Sequence, residues 1–472
     1  MAHDSLVRLT SGAGDAPGHG VVGHDGRMAS DQLTYDTVEL LQAAIRNECV
    51  NNGAADSGNE IRTSDLLAGY LEGVGLDVDY VEPGPGRRTL VTRIEGTDPG
   101  APTMCWLAHT DVVPANPNGW LHDPFGGELI DGEVWGRGAL DMLNLTCSMA
   151  VATRELARTG KRPRGTIIFC AVADEEAGGH YGARHLVEHE QDLVGCDYLV
   201  TESGGLSLSG PRGHRLTVTV GEKGTSWRRL IVRGTPGHGS MPYGADNAVI
   251  TAAEVVRRIA AYRPAAVVSE AWKHYAAALD VSDEVVAQLT DPSSFDAGLA
   301  TIPDIGTAKF AHACTHTTFS PNVANGGVKT NVIPDEVVIE LDIRTLPGID
   351  RAAVDAMLAD ALGPDLSARV TFEMINEGPA TISPLDTPLF HALNDVARVF
   401  YPEASLVPRV TAGGTDATFF RRVGTTAYGF GMFSRALSAG EFASRFHGNN
   451  ERVDVESLRL STQAWLALAD RW

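Results

Sequence analysis

Histidine and carboxylate side chains recur at the ends of apolar runs in the first half of the chain. The runs end in His109-Thr110-Asp111, in Asp174-Glu175-Glu176 and in Glu202. Apolar runs of this length predict buried strands, and an open α/β sheet builds its sites outside the carboxyl ends of its strands. Three adjacent carboxylates would repel one another unless a cation lay among them. Imidazole and carboxylate together suit zinc, cobalt or manganese, so the pattern predicts a divalent metal site.

Each of these acidic residues also has a simpler explanation. A single carboxylate after a strand is more often a helix cap than a ligand. The set as a whole favours a metal site, because caps need neither a histidine partner nor a common sheet edge.

Three further features sharpen the metal interpretation. In His109-Thr110-Asp111 the alternation of a strand points both side chains to one face, so Asp111 is expected to accept the proton of the far ring nitrogen of His109. Asp141 follows a glycine-rich turn and precedes a helical pattern from Met142 to Thr159, so its carboxylate could bridge two ions. Of the two glutamates in Asp174-Glu175-Glu176, one can be a ligand and the other an uncoordinated carboxylate, which a general base must be.

Taken in order, the motifs of the chain resemble those of the M20 metallopeptidases, a family that includes aminoacylases, carboxypeptidases, desuccinylases and dipeptidases. The resemblance covers nearly everything from about residue 35 to the end. It rests on the segments His109-Thr-Asp111-Val-Val-Pro114, Trp120, Asp123-Pro-Phe125, Gly136-Arg-Gly-Ala-Leu-Asp141-Met142, Asp174-Glu175-Glu176, Gly237-His238-Gly239-Ser240, Asn331-Val-Ile-Pro334, Asp342-Ile-Arg344, Gly413-Gly-Thr-Asp416 and His447-Gly448.

The resemblance implies a site with two divalent metal ions. One ion would be held by His109 and Glu202 and the other by Glu176 and His447, with Asp141 bridging them. Zinc is the expected metal, and cobalt or manganese are the alternatives.

The resemblance also implies roles for residues that bind no metal. Glu175 would be the general base, and Asp111 would orient the metal-bound histidine. A lone histidine is more often structural, but His238 stands between glycines, which leave it on a turn without a packing role. The family uses this histidine to stabilise an oxyanion in a neighbouring subunit, and action within one chain after closure of the lid stays open. Asn331 and Arg344 would lie near the substrate. The arginine is chosen because its planar guanidinium suits a carboxylate. Arg344 is equally well explained as a surface strand residue.

The predicted reaction is hydrolysis of an amide bond in a small N-acyl amino acid or dipeptide that has a free carboxylate. Gly414 and Thr415 are also expected at this substrate site, and a homodimer is the expected assembly. Two alternatives stay open: a non-catalytic binding protein on the same fold, and a single-metal amidohydrolase that acts on a non-peptide amide. The metal content per chain separates these possibilities.

The 472 residues of the chain exceed the size at which a single core stops growing, so two domains are expected. The resemblance predicts an α/β catalytic domain, with a mixed sheet and helices on both faces, and an inserted α+β lid that mediates dimerisation. The expected divisions are an N-terminal arm over 1–32, the catalytic domain over 33–214 and 376–472, and the lid over 215–375. Within the lid, 263–324 is a long acidic segment of irregular composition.

The composition excludes some classes of partner. The formal net charge is −22, whereas nucleic acids and anionic membranes require clustered lysine and arginine. The six cysteines form no CxxC pair and are predicted to be small buried residues. The sequence has neither a secretory signal nor an apolar run of about 20 residues, so a cytoplasmic protein is expected. His3, His19 and His24 lie in a glycine-rich arm, which is expected to be disordered or to wrap the surface rather than to bind metal.

Overall fold

The computed structural model describes residues 24–208 and 213–472. His3 and His19 of the N-terminal arm lie outside these residues. The helices up to residue 208 are α1 (His24–Arg46), α2 (Ile61–Leu71), α3 (Leu143–Thr159), α4 (Ala183–His189) and α5 (Gln191–Val194). The strands in the same part are β1 (Val78–Val81), β2 (Thr89–Ile94), β3 (Met104–His109), β4 (Glu128–Ile130), β5 (Glu133–Trp135), β6 (Ile167–Val172), β7 (Tyr198–Thr201) and β8 (Ser207–Leu208).

The second part of the chain is also mixed. Its strands are β9 (Arg215–Glu222), β10 (Gly224–Arg233), β11 (Gly237–His238), β12 (Thr318–Gly326), β13 (Val332–Ile333), β14 (Glu336–Thr345), β15 (Val370–Gly378), β16 (Thr381–Ile382), β17 (Ser405–Thr411), β18 (Thr426–Gly429) and β19 (Arg452–Asp454). Its helices are α6 (Ala248–Ala261), α7 (Glu270–Ala276), α8 (Asp283–Leu289), α9 (Phe295–Leu299), α10 (Ile305–Thr315), α11 (Arg351–Ser367), α12 (Pro388–Phe400), α13 (Ala417–Arg422), α14 (Ala439–Arg445) and α15 (Val455–Ala469). None of the helices among the described residues is both long and apolar enough to cross a bilayer.

Ten strands form one mixed sheet at the centre of the fold. Along the sheet the strands follow the order β1, β2, β6, β3, β7, β18, β9 and β16, and both β17 and β8 also pair with β9. The central strands β6, β3, β7 and β18 are parallel, whereas β1 and β2 are antiparallel to their neighbours. Helices α1, α3, α12 and α15 cover one face, and α4, α5 and α13 cover the other. The predicted mixed-sheet α/β fold is confirmed.

Strand β3 is buried on both faces because its side chains alternate between the two layers of helices. Trp106 and Ala108 pack into the core under α1, α3 and α15, while Cys105 and Leu107 pack into the core under α4, α5 and α13. A strand that is covered on both sides is apolar at every position, which explains the unbroken apolar run in the sequence. A fully buried leucine in such a strand contributes roughly 1.5–3 kcal/mol. The packing therefore holds His109, the last residue of β3, at a defined height on the sheet edge.

One strand lies in a different sheet from the one that the sequence indicates. The lid is expected to begin at residue 215, but β9 belongs to the large sheet, where it pairs in parallel with β17. Its side chains Leu216, Val218 and Val220 pack into the large core. The lid boundary at 215 is therefore wrong: the chain enters the inserted domain only after Glu222 and returns between β15 and β16.

The inserted domain is a four-stranded antiparallel sheet with two helices on one face. The strand order is β12, β14, β10 and β15, and α6 and α11 cover one face through side chains such as Val255 and Leu358. Strands β10 and β14 alternate between buried and half-buried positions, as expected for a sheet with one covered face. Helix α6 begins at Ala248 because the side chain of Asn247 accepts a hydrogen bond from the N–H of Val249.

The segment 263–324, which has an acidic and irregular composition, is largely helical. It forms the short helices α7 to α10, which are followed by β12. Three of these helices begin at side-chain caps, which are provided by Ser269, Ser282 and Asp304. Trp272 and Phe295 lie in a small core of their own that also includes Val407 of β17. These helices therefore pack back onto the large sheet.

The first helix begins earlier than the sequence indicates. Residues up to 32 are expected to form an arm, but α1 begins at His24. Leu33 packs against the large core, and the Gln463 side chain on α15 donates to the Ser30 hydroxyl. The additional turns of α1 are thus stabilised by a helix that lies far away in the sequence.

Candidate active site

Three parallel strands bring three of the predicted ligands, His109, Glu176 and Glu202, to one edge of the large sheet. His109 is the last residue of β3, and Glu202 directly follows β7. Strand β6 lies on the other side of β3 and ends at Val172, shortly before Asp174-Glu175-Glu176. Because β3 pairs in parallel with both β6 and β7, the three carboxyl ends are neighbours. The strand ends therefore meet at one edge, as the sequence predicts.

Asp141 lies between two histidines that come from distant parts of the chain. Its Oδ1 is 3.2 Å from Nε2 of His109, and its Oδ2 is 2.7 Å from Nε2 of His447. The two oxygens of one carboxylate thus face different histidines. The turn that leads to Asp141 requires glycine at Gly138, because φ is +87° there and a Cβ would lie 2.6 Å from the side chain of Val112.

The two remaining ligand candidates each lie beside one of these histidines. One oxygen of Glu202 is 3.9 Å from Nε2 of His109. One oxygen of Glu176 is 3.4 Å from Nε2 of His447. Each histidine therefore has a carboxylate of its own in addition to Asp141.

Two groups of three side chains converge closely enough to hold a metal ion. His109, Asp141 and Glu176 offer atoms that lie within 4.8 Å of one another, and so do His109, Glu175 and Glu202. The Oε1 atom of Glu176 is buried and has no hydrogen-bond partner among the described residues. Such an atom is costly to bury without a hydrogen bond or a cation. The donor set and this unpartnered oxygen fit zinc, cobalt or manganese.

The cluster concentrates negative charge in a buried place. Burial raises the pKa of Glu175 well above its usual range, and the neighbouring Glu202 raises it further. Burial also raises the pKa of Glu202, and the charge of Asp141 adds to this effect. In Asp141 burial acts in the same direction, but hydrogen bonds to both histidines outweigh it and the pKa is lowered. Hydrogen bonds to Asp141 and Glu176 raise the pKa of His447 to about 10. Divalent cations would relieve this repulsion between carboxylates.

The sequence predicts that the carboxylate of Asp111 orients His109, but the backbone carbonyl of Asp111 makes the contact instead. Nδ1 of His109 is 2.9 Å from the carbonyl oxygen of Asp111 and 3.6 Å from its carboxylate. A carbonyl can only accept, so Nδ1 carries the proton and Nε2 is free to bind a metal. The carboxylate accepts the N–H groups of Glu175 and Glu176 at 3.2 and 3.1 Å. The difference arises because β3 ends at His109, so the alternation of a strand does not extend to Asp111.

Asn51 is a site residue that the sequence does not indicate. Its Nδ2 donates to the carboxylates of Asp111 and Asp174 at 2.8 and 3.0 Å. Its Oδ1 accepts from Arg87, whose guanidinium is paired with the buried Glu60 at 2.7 Å. This network holds Asp174 in a loop with a φ of +70°, which makes it a structural residue rather than a ligand. An asparagine in a loop has no spacing pattern that would signal this role.

The segment with Gly414 and Thr415 lies at the junction with the inserted domain. The N–H of Thr415 donates to the carboxylate of Glu222, the last residue of β9. The next residue, Asp416, is buried, and its Oδ2 has no hydrogen-bond partner among the described residues. Burial raises the pKa of Asp416 well above its usual range, against the opposite effect of His109. Contact of Gly414 and Thr415 with substrate stays a prediction.

His238 and Asn331 lie together in the inserted domain. Strand β11, which contains His238, pairs with β13, and the N–H of Gly239 donates to the carbonyl of Asn331 at 2.8 Å. The imidazole of His238 is exposed. Its Nδ1 accepts from the N–H of Ser240 at 3.2 Å. A neutral ring therefore carries its proton on Nε2, which is left as a donor.

Arg344 already has an acidic partner. Its Nε and Nη2 donate to Asp342 at 2.8 and 3.3 Å, and the guanidinium carbon lies 5.4 Å from the centre of the Trp227 ring. Asp342 does not bind Nη1 of the arginine. The arrangement therefore agrees both with a role in binding a substrate carboxylate and with an ordinary surface residue on a strand. The structure thus places the predicted ligands and base at the sheet edge and the predicted lid residues in the inserted domain.

Known proteins share both the sequence pattern and the fold of this chain. A family model described as "Peptidase family M20/M25/M40" matches residues 105–471. The N-fatty-acyl-amino acid synthase/hydrolase PM20D1 of Xenopus tropicalis is 29% identical over 386 residues, which are 80% of this chain and 73% of that protein. Aminoacylase-1 of Sus scrofa is 27% identical over 405 residues, which are 84% of this chain and 87% of that protein.

A solved structure supports the same assignment at the level of the fold. The M20 family metallo-carboxypeptidase Sso-CP2 from Sulfolobus solfataricus has a TM-score of 0.67 at 17% identity, and the match covers 93% of this chain and 99% of that one. The chain therefore belongs to peptidase family M20/M25/M40, a family of metal-dependent hydrolases.

Proposed function

We propose that the protein is a two-metal hydrolase that cleaves an amide bond in a small N-acyl amino acid or dipeptide. The observation that carries the proposal is the placement of Asp141, whose two oxygens face two different histidines at 3.2 and 2.7 Å. Two oxygens that face different histidines suit a carboxylate shared by two ions, whereas a helix cap requires no histidine. Membership of a peptidase family supports hydrolysis as the reaction.

One ion would be held by His109 and Glu202 and the other by Glu176 and His447, because these pairs lie 3.9 and 3.4 Å apart. Asp141 would be common to both ions. Bound there, divalent ions would polarise the carbonyl of the substrate and lower the pKa of a water molecule toward about 7. We favour zinc, and cobalt or manganese have similar ligand preferences.

Glu175 is the proposed general base. Its carboxylate lies within 4.8 Å of ligand atoms of His109 and Glu202, but neither histidine–carboxylate pair requires it as a ligand. Burial, together with Glu202, raises its pKa, which makes proton transfer near neutral pH more favourable. Glu175 accepts the proton of the attacking water and then donates it to the leaving amine, so the carboxylate is restored at the end of each turnover.

His238 is proposed to donate a hydrogen bond to the oxyanion that forms on the substrate. The N–H of Ser240 binds Nδ1, so a neutral His238 presents Nε2–H without a change of tautomer. A donor that is set before the reaction requires little reorganisation in the transition state. Because His238 lies in the inserted domain, either closure of that domain or a second subunit has to bring it to the carbonyl.

A homodimer is the arrangement that we favour for His238. Met241 is 69% exposed and Tyr243 is fully exposed, close to the exposed histidine in the sequence. Large apolar side chains on one surface are typical of an interface with another protein molecule. A second copy of the chain that covers this surface would allow the histidine to reach the site of its partner.

The substrate is proposed to carry a free carboxylate. Arg344, with Nη1 not engaged by Asp342, and Asn331 are the residues that we expect to bind it, and Gly414 and Thr415 are expected to line the same space. One relative is named an N-fatty-acyl-amino acid synthase/hydrolase and another an aminoacylase. Both names point to an acyl group on an amino acid, which supports this class of substrate.

We also propose that the enzyme works in a reducing compartment, the cytoplasm. All six cysteines are unpaired, and five of them are buried. Free thiols are typical of a reducing environment. The net charge of −22 agrees with a small-molecule substrate rather than with nucleic acid or an anionic membrane.

The metal content per chain tests the proposal. Elemental analysis after loading with zinc or cobalt should give about two ions per chain, and His447→Ala should retain about one. A protein that is fully active with a single ion would instead be a single-metal amidohydrolase. A protein that binds metal but hydrolyses none of a panel of N-acyl amino acids and dipeptides would be a binding protein on the same fold.

A further inference from the structure

Glu451 is a buried carboxylate beside the ligand cluster that the proposed reaction does not use. Its side chain is fully buried. Its Oε1 accepts the backbone N–H groups of Leu140 and Asp141 at 2.7 and 3.1 Å, and its carbonyl accepts the N–H of Gly136 at 3.0 Å. The glutamate therefore holds the turn before and at Asp141 at three points, although it lies 311 residues from Leu140 in the sequence.

Arg137 connects Glu451 to His447. Its Nη1 donates to Oε2 of Glu451 at 2.6 Å, and its Nη2 donates to the carbonyl oxygen of His447 at 3.3 Å. The guanidinium is 3% exposed and lies 5.4 Å from the centre of the Trp120 ring. Removing one partner of a buried ion pair leaves an uncompensated charge, so the two side chains are strongly held together. This single ion pair contacts the backbone of both Asp141 and His447.

His447 has a backbone conformation that needs support. Its φ is +54°, in the left-handed region, which costs energy for a residue other than glycine unless the surroundings impose it. Its side chain is 46% exposed, so the packing of the imidazole provides limited restraint. The ring stacks on Phe446 at 4.7 Å, and Arg137 binds its carbonyl oxygen. The loop of His447 is thus tied to the turn of Asp141 in two ways: by the side-chain contact of His447 with Asp141, and by the bond from Arg137 to its backbone carbonyl.

We propose that Glu451 and Arg137 are positioning residues that set the separation of Asp141 and His447 before any metal binds. The inference rests on the proposed two-metal site and adds to it, since neither residue is a ligand. Without the pair, the backbone bond between Gly136 and Glu451 would remain, but the side-chain contacts with Leu140, Asp141 and the carbonyl of His447 would be lost. Metal binding would then have to order the two segments itself, and the affinity for metal would fall.

Glu451→Gln tests the proposal, because it keeps the shape of the side chain and removes its charge. With zinc as the probe and a chelator as competitor, we expect the affinity to fall by about 10–100-fold, the range found for partners of metal ligands. In the metal-free protein, hydrogen exchange at the amides of Leu140 and Asp141 should become faster, while β3 should keep its wild-type exchange. Arg137→Lys is a second variant, which keeps the charge but loses the fork that reaches both Glu451 and His447. It should lower zinc affinity as well, and it replaces Glu451→Gln if that variant does not fold.

Arg228→Lys is the matched control for loss of a buried guanidinium. Arg228 is 2% exposed and pairs with Asp355 at 3.3 Å, but within the inserted domain. It should lower stability without changing zinc affinity. The positioning role would be overturned if the wild type binds two ions and both Glu451→Gln and Arg137→Lys bind zinc with the same affinity as the wild type. The proposed function would then still stand. A wild-type protein that binds no zinc would overturn the proposed function and this role with it.

Discussion

Replacing Glu175 with glutamine separates proton transfer from metal binding. The backbone N–H of residue 175 still donates to Asp111, and the amide has nearly the shape of the carboxylate, but it cannot accept a proton from water. A general base contributes about 10²–10⁴-fold to a rate. Each tenfold factor corresponds to about 1.36 kcal/mol, so the barrier should rise by roughly 2.7–5.4 kcal/mol. We therefore expect kcat to fall at least ~10²-fold while the metal content stays at that of the wild type.

The adjacent residue offers a matched control. Glu176→Gln makes the same chemical change one position along the chain, but in a carboxylate that lies 3.4 Å from Nε2 of His447. An amide is a weaker ligand for a divalent ion than a carboxylate. We expect Glu176→Gln to lose metal together with activity, whereas Glu175→Gln should lose activity alone.

The assay combines initial rates on N-acyl amino acids and dipeptides with elemental analysis of the same samples. Near-normal turnover of Glu175→Gln with its metals bound would show that Glu175 is not the base. Loss of metal from Glu175→Gln would also refute the assignment, because it would make the residue a ligand in the group with His109 and Glu202.

The other predictions concern the lid, the metals and the domain junction. His238→Ala should lower kcat more than it raises KM, because an oxyanion donor acts mainly in the transition state, and the activation barrier should rise by about 3 kcal/mol. Steady-state kinetics in which only KM changed would contradict this. Mixing His238→Ala with Glu175→Gln subunits should restore part of the activity if the histidine acts across a dimer, and no recovery after confirmed subunit exchange would exclude that route. The pKa of His447 is raised to about 10, and its proton has to leave before metal binds. Zinc affinity should therefore increase as the pH is raised up to about 10, by about tenfold per pH unit for each proton displaced. Calorimetric titrations with a flat pH profile would refute this. Glu222→Ala should destabilise the protein by about 3–5 kcal/mol, since it leaves the buried Arg421 without a carboxylate; a change below about 1 kcal/mol in urea unfolding would contradict it.

The ligand edge can be predicted from the sequence because strand ends mark it. Buried strands appear as apolar runs, and parallel strands present their carboxyl ends together, so His109, Glu175, Glu176 and Glu202 can be grouped from local patterns. His447 cannot be found in this way. It follows a helix in a loop of left-handed conformation, and only the resemblance to a family indicates its role.

Residues around the proposed ligands are harder to predict than the proposed ligands themselves. Asn51 and Glu451 act through contacts between segments that are far apart in the sequence. Such contacts leave no spacing pattern, since a single amide or carboxylate in a loop is common in any protein. The spacing of Asp111 predicts a contact with His109, but it does not show that the carbonyl rather than the carboxylate makes it.

The domain junction shows why the boundary of the lid could not be read from local pattern. Apolar residues alternate with threonine along β9, a sequence pattern that suits a strand of either sheet. Its place in the large sheet is set by its pairing with β8, β16, β17 and β18. At the end of β9, Glu222 lies opposite Thr381 of β16, so the chain leaves and re-enters the large sheet at one place. The carboxylate of Glu222 also accepts the N–H of Thr415. A movement of the inserted domain about β9 and β16 would therefore displace Glu222, which holds the predicted substrate segment at Thr415. Glu222 is neither a proposed ligand nor part of the lid, and it links the two.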